Sequence, residues 1–441
     1  MDIKKYKDNL GEFIKIKSIS AGGFENELKK ASEYLVGLFS NLGFETKIID
    51  GKTTNPYVFA EYKISERAET VLIYGHYDVQ PADIKDGWEK DPFEIDEREG
   101  KLIARGIEDN KGQVMVHILT IGELIKEGKL KKNVKFFIEG NEETGNPEII
   151  DVIKENRDLL NCDYVLISDG EISNENPAMD VSFRGGVNMK ITFETAKNDV
   201  HSGVYGGAFP NAAMELSNLI SKLYDENNRI SIGNFYDDVR APTKEELENN
   251  ESIEFDLDRI KKDTGIRALK MEKGLDFYTQ VGMLPMLTVT GFKSGFIGEG
   301  FNNIIPCKAE CRINFRFAAD QEPQKIVKLV KDFVINNTPE YVDVTFEESP
   351  TFDPVKIDTK DPIFSEVRKD LEETYGKKLI FRYCGASIPV VVDFKSVLKK
   401  PILSVGFAGE DSNAHGVGEN FRIDHIKKAL KFSHKFFGEI N

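Results

Sequence analysis

The sequence lacks a long apolar run, and nowhere approaches the roughly 18 consecutive apolar residues of a membrane span. Its first residues, MDIKKYKDNLGEF, are charged and lack the apolar core of a secretory signal peptide. Basic residues are also in the minority, with 59 Lys and Arg against 75 Asp and Glu and a net charge of −16. This balance argues against nucleic acid or an anionic membrane as a partner. We therefore expect a cytoplasmic protein that binds neither.

Cysteine is scarce too, and the four cysteines are scattered: Cys162, Cys307, Cys311 and Cys384. Cys307 and Cys311 fall in one predicted strand, where four residues span roughly 13 Å, too far for a disulfide. We expect all four to be reduced, which agrees with a cytoplasmic location.

The length of 441 residues exceeds one ordinary hydrophobic core and predicts two or three domains. Strands and helices alternate up to about residue 180 and again after residue 350, which predicts a mostly parallel, doubly wound α/β domain. The segment between them has a β-α-β-β-α-β pattern, interrupted by an irregular acidic stretch at 224–283, and this predicts a ferredoxin-like α+β fold. The expected organisation is a discontinuous domain, 1–180 and 351–441, with a second domain, 181–350, inserted in it.

A reactive stretch begins where the predicted buried strand Val71–Tyr74 ends, because His76 and Asp78 follow it at once. In open α/β sheets, ligands gather at the carboxyl ends of the strands. A neutral imidazole such as that of His76 is a good zinc ligand, and a carboxylate two residues on can accept its second N–H. A second predicted loop, Arg105–Gly112, carries Asp109 between its two glycines, Gly106 and Gly112.

Further acidic or imidazole side chains follow other predicted strands, so that five separate loops carry candidate metal ligands: His76, Asp109, Glu143, Asp169 and His415. Two zinc ions about 3.5–4 Å apart need a bridging carboxylate and further nitrogen or oxygen ligands, which two histidines and three carboxylates supply. Each residue alone is unremarkable in a sequence, since a loop carboxylate is usually solvated or caps a helix. Their shared position at strand ends is what indicates a dinuclear metal site.

Longer motifs resemble the dinuclear-zinc exopeptidases, a family that includes cytosolic non-specific and carnosine dipeptidases, glutamate carboxypeptidase, aminoacylase and succinyl-diaminopimelate desuccinylase. The resemblance covers nearly the whole chain in order: GHYDVQP, DGWEKDPFEIDEREGKLIARGIEDNKG, EGNEETG, ISDG, DVHSGVYGG, NIIP, GASIP and the His415 loop. The sequence is most similar to the dipeptidase branch, which often elaborates the region of the acidic stretch. The resemblance implies a zinc-exopeptidase fold whose discontinuous domain is catalytic and whose inserted domain serves as lid and dimerisation domain.

The resemblance also implies how the ligands divide. Asp109 would bridge two divalent metal ions, with His76 and Asp169 completing one site and Glu143 and His415 the other. Zinc is the expected metal, with manganese and cobalt as alternatives that suit the same mixed nitrogen and oxygen ligands.

Catalytic roles follow from the same resemblance. Asp78 would orient His76, and Glu142 would be the general base. A divalent metal lowers the pKa of bound water, so a neighbouring carboxylate can take its proton and pass it to the leaving amine.

Four further residues, three of them in the inserted domain, would contact a small peptide substrate. By resemblance, His201 in DVHSGVYGG would be catalytic, contacting the substrate and stabilising the oxyanion from the other subunit of a homodimer, and Asn303 in NIIP is similarly placed. Arg316 matches an arginine that holds the substrate's carboxylate, a role suited to a planar guanidinium. Ser387 in GASIP matches a substrate-contacting loop.

Two positions depart from the family pattern. Asn141 stands where many relatives have a third glutamate, and Glu108 stands where a small residue is commoner. The Glu108 carboxylate would either alter metal preference or face water. Among the remaining histidines, we expect His117 in a packed core and His425 at the surface.

The leading hypothesis is a dinuclear metal-dependent exopeptidase, specifically a dipeptidase, that cleaves a peptide bond next to a free C-terminal carboxylate. One alternative keeps the site and changes the substrate to an N-acyl or N-succinyl amino acid. Another is a metal-stabilised dimeric binding protein without turnover. Glu142 argues against that last alternative, because a structural site needs no general base and is usually closed by four protein ligands.

Overall fold

The computed structural model describes residues 2–386 and 388–438 and divides the chain into two compact units. Unit 1 comprises Met1–Val181, Ile357–Phe381 and Val390–Asn441. Unit 2 comprises Ser182–Lys356 and Arg382–Pro389. Both units are therefore assembled from segments that are distant in the sequence.

The helices are α1 (Ile3–Ile14), α2 (Glu25–Asn41), α3 (Lys111–Glu127), α4 (Ile149–Glu155), α5 (Ser202–Tyr205), α6 (Ala212–Ser221), α7 (Lys244–Glu251), α8 (Leu257–Thr264), α9 (Phe277–Met283), α10 (Pro323–Asn336), α11 (Pro362–Tyr375), α12 (Pro389–Leu398) and α13 (Ile423–Phe437). Short 3-10 turns occur at Ile84–Asp86 and Glu142–Thr144. Across the described part of the chain, no helix combines the length and the apolar content needed to cross a membrane.

The strands are β1 (Glu45–Ile49), β2 (Tyr57–Tyr62), β3 (Thr70–His76), β4 (Asp96–Arg98), β5 (Lys101–Ile103), β6 (Asn133–Glu139), β7 (Tyr164–Ile167), β8 (Ala178–Phe183), β9 (Gly185–Glu194), β10 (Val200–His201), β11 (Met286–Ser294), β12 (Ile304–Ile305), β13 (Lys308–Phe317), β14 (Asp343–Glu348), β15 (Val355–Lys356), β16 (Ile380–Cys384), β17 (Ile402–Gly406) and β18 (Asn420–Arg422).

The large sheet of unit 1 has a parallel centre. Its strands run in the order β1-β2-β6-β3-β7-β17-β8, and β6, β3, β7 and β17 are parallel to one another. Strands β1 and β2 on one side, and β8 on the other, are antiparallel to their neighbours. Every residue of β6 is buried, as expected for a strand covered on both faces. The predicted α/β fold is confirmed, and the carboxyl ends of its four parallel strands meet at one edge.

Helix α3 is the central helix of unit 1 and is buried almost all round. It ends at Gly128, whose φ of 68° is the left-handed conformation that closes helices. Its His117 is buried and hydrogen-bonds through its two ring nitrogens to the hydroxyls of Ser168 and Ser433, at 2.9 and 3.1 Å. Burial lowers the pKa of His117 to about 3, so the imidazole is neutral. The expectation that His117 lies in the core is confirmed.

The last helix corrects the expectation for His425, which is fully buried rather than at the surface. It lies beside Ile426 on the face of α13 that packs inward. Its Nε2 lies 3.2 Å from a carboxylate oxygen of Glu175. That polar partner lets an imidazole occupy a buried position.

Unit 2 contains a four-stranded antiparallel sheet in the order β11-β13-β9-β14. Taken with α6 and α10, this is the predicted ferredoxin-like arrangement. Burial alternates along β13, because one face of the sheet packs on the helices and the other is more open. Apolar side chains from both layers, among them Phe193, Leu216, Phe315 and Val330, form the core of this unit.

The acidic stretch at 224–283 is less irregular than predicted, since it contains α7, α8 and α9. Each helix begins with a side-chain cap, from Thr243, Asp256 and Asp276 respectively. Thr243 and Glu246 form a reciprocal capping box, which is a readable helix-start signal. Helices α7 and α8 span eight residues each and are mostly charged, so their apolar pattern is short and the caps are the clearer signal.

Candidate metal centre

The five predicted ligands converge at one place in unit 1. His76 is the last residue of β3, and the others lie in the loop before α3, the turn after β6, the segment after β7 and the loop between β17 and β18. Two trios of possible ligands form, and within each the ligand atoms lie within 4.8 Å of one another: His76, Asp109 and Asp169, and Asp109, Glu143 and His415. The parallel strands therefore deliver side chains from distant parts of the sequence to one edge of the sheet.

Asp109 is common to both trios and uses a different oxygen in each. Its Oδ1 lies 3.1 Å from Nε2 of His76, and its Oδ2 lies 2.9 Å from Nε2 of His415. Asp169 approaches the first histidine at 3.5 Å, and Glu143 approaches the second at 3.1 Å. This geometry suits a carboxylate that bridges two cations.

The electrostatics of the cluster favour positive charge. Hydrogen bonds to Asp109 and Glu143 raise the pKa of His415 to about 10. Burial acts to lower the pKa of His76, but its bonds to Asp109 and Asp169 outweigh burial and raise that pKa well above its usual value. Burial likewise acts to raise the pKa of Asp109, and the two histidines outweigh it, so the pKa is lowered. The clustered carboxylates thus attract protons onto the histidines, and two divalent cations fit the same charge and the same nitrogen and oxygen donors.

The ring of His76 is oriented for metal binding. Its Nδ1 lies 3.0 Å from the backbone carbonyl oxygen of Asp78 and 3.4 Å from the Asp78 carboxylate. Since a carbonyl can only accept, Nδ1 carries the proton of that bond, and Nε2 of the neutral ring presents its lone pair to the cluster. The main-chain carbonyl of Asp78 is thus a nearer partner of His76 Nδ1 than the Asp78 carboxylate.

The carboxylate of Asp78 also holds the turn that carries Glu142 and Glu143. It is fully buried and accepts the backbone N–H of Glu142 at 3.2 Å and that of Glu143 at 3.0 Å. Glu142 is not a member of either trio, and burial raises its pKa to about 8 against the opposing effect of His76. A carboxylate is thus fixed beside the candidate ligands without being one of them.

Several residues that the sequence did not single out support the cluster. Gln80 donates from Nε2 to the Glu143 carboxylate at 2.8 Å. Asn110 donates to the Ser168 carbonyl at 2.6 Å and accepts the His76 backbone N–H at 3.3 Å. Amide side chains carry no metal signal of their own, although Gln80 lies inside the GHYDVQP motif and could have been found there.

Glu108 does not face water, so that alternative is wrong. Its residue is 3% exposed and its carboxylate accepts from Nε2 of Gln113 at 3.2 Å. Burial raises its pKa well above the usual value, and the charges of Asp109 and Glu419 act in the same direction. Glu108 is a buried neighbour of the cluster and belongs to neither ligand trio.

Three of the four predicted substrate residues, His201, Asn303 and Arg316, lie in unit 2. His201 ends β10 and is exposed, and its Nδ1 accepts the N–H of Gly203 at 3.0 Å. The Asn303 carbonyl accepts the N–H of Ser202 at 2.9 Å, so the structure brings Asn303 beside His201. Arg316 lies on β13, with its guanidinium carbon 5.7 Å from the ring centre of Phe352. Ser387 lies outside the described residues, and the roles of all four stay predictions.

Five clustered candidate ligands at the carboxyl edge of an α/β sheet, with a further carboxylate in the adjoining turn, are the arrangement expected of a metal-dependent hydrolase. Comparison with known proteins assigns the family. The model of Peptidase family M20/M25/M40 matches residues 72–439, and the chain belongs to that family.

Individual relatives agree with this assignment. A cysteinylglycine-S-conjugate dipeptidase of Corynebacterium striatum is 30% identical over 366 residues, which are 81% of this chain and 79% of that protein. A Cys-Gly metallodipeptidase of Schizosaccharomyces pombe is 28% identical over 97% of this chain and 95% of that protein. The crystal structure of an M20 family metallo-carboxypeptidase from Sulfolobus solfataricus matches with a TM-score of 0.84 at 29% identity, over 99% of this chain and 98% of that one. The predicted family, fold and hydrolase class are confirmed.

Proposed function

We propose that this chain is a dinuclear metallodipeptidase that hydrolyses the peptide bond of a dipeptide with a free C-terminal carboxylate. The observation that carries the proposal is Asp109, which faces one histidine with each of its two oxygens, while Glu142 precedes the candidate ligand Glu143 in a turn held by Asp78. The dipeptidase names of the bacterial and yeast relatives support the choice of substrate.

One metal would be held by His76, Asp109 and Asp169, and the other by Asp109, Glu143 and His415. Divalent ions in such sites polarise a carbonyl and lower the pKa of a water molecule. The mixed nitrogen and oxygen donors favour zinc, and manganese and cobalt suit them as well.

Glu142 is the proposed general base. It takes a proton from the attacking water and returns it to the amine that leaves. Its pKa of about 8 belongs to the metal-free cluster. Cations nearby would favour the ionised carboxylate and so act to lower that pKa, which suits a base that must be unprotonated at the start of the reaction. Asp78 keeps this base in position because its carboxylate accepts two backbone N–H groups of the turn that carries Glu142.

His201 and Asn303 would stabilise the oxyanion, Arg316 would hold the substrate's carboxylate, and Ser387 would contact the substrate. Free cysteines at all four positions agree with a reducing cytoplasm. Unit 2 would also form a homodimer. In support, a cleft of about 760 Å³ in this unit is lined by apolar side chains that are unusually exposed, including Phe209, Met214 and Tyr341 at 45, 65 and 57%. A second copy of the chain is the proposed cover of this surface.

The proposed activity is tested with three substrate groups on metal-loaded protein: free dipeptides, dipeptides with a blocked amino terminus, and N-acyl amino acids. Metal content is measured on the same sample. Cleavage of free dipeptides with two metals per chain is the expected result. Preference for blocked peptides would instead favour a carboxypeptidase, the activity named for the Sulfolobus relative. Exclusive cleavage of acyl amino acids would assign an amidase, and no turnover with metal bound would leave a binding protein.

The dimer is tested separately by the mass of the protein in solution and by complementation. His201→Ala and Glu142→Ala subunits, each inactive alone, should recover partial activity in re-formed heterodimers if His201 serves the partner subunit. A monomeric mass, or heterodimers without recovered activity, would contradict this arrangement.

A further inference from the structure

A buried ion pair, Arg105 and Glu419, connects the two loops that carry the bridging carboxylate and the exposed histidine. Arg105 is 3% exposed and Glu419 is fully buried, and Nη1 of Arg105 lies 2.7 Å from a Glu419 oxygen. Neither residue belongs to a ligand trio. Strand pairing brings them together, because Arg105 follows β5, Glu419 precedes β18, and β5 and β18 pair with Ile103 opposite Asn420.

Glu419 fixes the backbone of the Asp109 loop. Its Oε1 accepts the N–H of Glu108 at 3.1 Å and that of Asp109 at 3.2 Å. Its Oε2 accepts the N–H of Gly106 at 2.9 Å together with the guanidinium. Both oxygens of the Glu419 carboxylate therefore accept hydrogen bonds from N–H donors.

Arg105 fixes the backbone of the His415 loop with its other guanidinium nitrogen. Its Nη2 donates to the carbonyl of His415 at 2.9 Å and, less closely, to that of Gly416 at 3.4 Å. The guanidinium also lies over Trp88, with 5.6 Å from its carbon to the ring centre. One planar group thus binds Glu419 on one side and the histidine loop on the other, a geometry that lysine cannot reproduce.

The histidine loop needs such a restraint. His415 has a φ of 60° and Asn413 a φ of 56°, a left-handed conformation that asparagine adopts readily but that is unfavourable for histidine. The His415 side chain is 56% exposed, whereas that of His76 is fully buried. Packing therefore positions His76, while His415 depends on its backbone contacts.

We infer that Arg105 and Glu419 are positioning residues that set the affinity and spacing of the two metal sites. A buried ion pair adds little net stability compared with apolar residues of similar size, so the contribution of this pair is the geometry it imposes. Glu419 acts on the ligand shared by both sites, and Arg105 acts on the ligand of one site. The inference rests on the proposed metal centre.

The test uses Arg105→Lys, which keeps the charge beside Glu419 but cannot serve both loops, and Glu419→Gln, which keeps the shape. The control is Arg422→Lys, since Arg422 also forms a partly buried pair, with Glu175, but has no hydrogen bond to either ligand loop among the described contacts. Stepwise dissociation constants are measured by competition with a chelator, using cobalt so that the absorption of each site is seen. Thermal unfolding of the metal-free proteins checks the fold.

In Arg105→Lys we expect one of the two metals to bind about 10- to 100-fold more weakly, as is typical when a partner of a ligand is lost. In Glu419→Gln we expect both metals to bind more weakly, and in Arg422→Lys we expect both affinities to stay unchanged. The unfolding temperature of metal-free Arg105→Lys should be close to that of the control. Unchanged metal affinities in both variants would overturn the inference. So would variants that fail to fold, since the pair would then be structural. Fewer than two metals in the wild type would instead contradict the proposed function itself.

Discussion

Replacing Asp78 by asparagine tests how far the base and one ligand depend on a single buried carboxylate. This carboxylate accepts two backbone N–H groups, at 3.2 and 3.0 Å, from Glu142 and Glu143. Asparagine has the same shape but only one acceptor, so its amide would face one of the two donors. A lost hydrogen bond to a charged group is worth about 1.5–3 kcal/mol, which corresponds to a factor of roughly 10 to 150 in the population of the native turn.

We therefore expect Asp78→Asn to lower kcat/KM for a dipeptide by about 10- to 100-fold and to weaken the metal held by Glu143. The assay is dipeptide hydrolysis at limiting and at saturating metal, because excess metal restores occupancy but leaves the base displaced. Asp370→Asn is the control, since Asp370 is also buried in unit 1 but its ion-pair partner is Lys435 on α13. Activity within twofold of the wild type at every metal concentration would refute the reasoning.

Three further predictions concern protons. Glu142→Ala should retain two metals by elemental analysis and lose about 10²- to 10⁴-fold in kcat, the usual contribution of a general base, whereas loss of metal together with activity would make Glu142 a ligand instead. The carboxylates of Asp109 and Glu143 raise the pKa of His415 to about 10, so metal binding must displace a proton from this histidine. Apparent affinity should therefore rise up to tenfold per pH unit for each proton released between pH 6.5 and 8.5, and an affinity independent of pH would contradict this. Burial lowers the pKa of His117 to about 3, below its unfolded value near 6.5, so unfolding takes up a proton in acid and stability falls as pH falls below 6.5. When the pH is lowered from 7.5 to 5.5, the free energy of unfolding of the metal-free wild type, measured by urea denaturation, should fall by about 1.4 kcal/mol more than that of His117→Gln. Equal decreases in the two proteins would show that His117 is not the cause.

The ligand cluster was readable in the sequence because parallel strands end at a common edge, so that polar residues directly after buried runs must meet. His76 and Asp169 follow their strands closely, and this local rule places them without further information. The motifs of the family then divided the ligands between two sites. The ferredoxin-like strand order likewise followed from the order of the elements alone.

Other features depend on contacts that no local pattern contains. In the sequence, Glu419 looks like an ordinary loop glutamate. Only the pairing of β5 with β18 brings its carboxylate to the backbone N–H of Asp109. His425 has charged neighbours in the sequence, and only the packing of α13 shows that it is buried. The helices of the acidic stretch were missed for another reason: each is only seven or eight residues long, and capping residues mark their starts more clearly than an apolar pattern does.

Strand β17 has a consequence for the way the protein is made. It lies between β7 and β8 in the sheet, with Ile402 paired to Val165, although the whole of unit 2 separates β7 from β17 along the chain. On the ribosome, the nascent chain therefore presents β7 with one unpaired edge until the segment at 402–406 has emerged, which is a surface that pairs readily with other strands. His415 and Glu419 emerge later still. An incomplete chain that ends before His415 therefore carries the trio of His76, Asp109 and Asp169 but lacks a member of the second trio, which forms only once synthesis has passed residue 415.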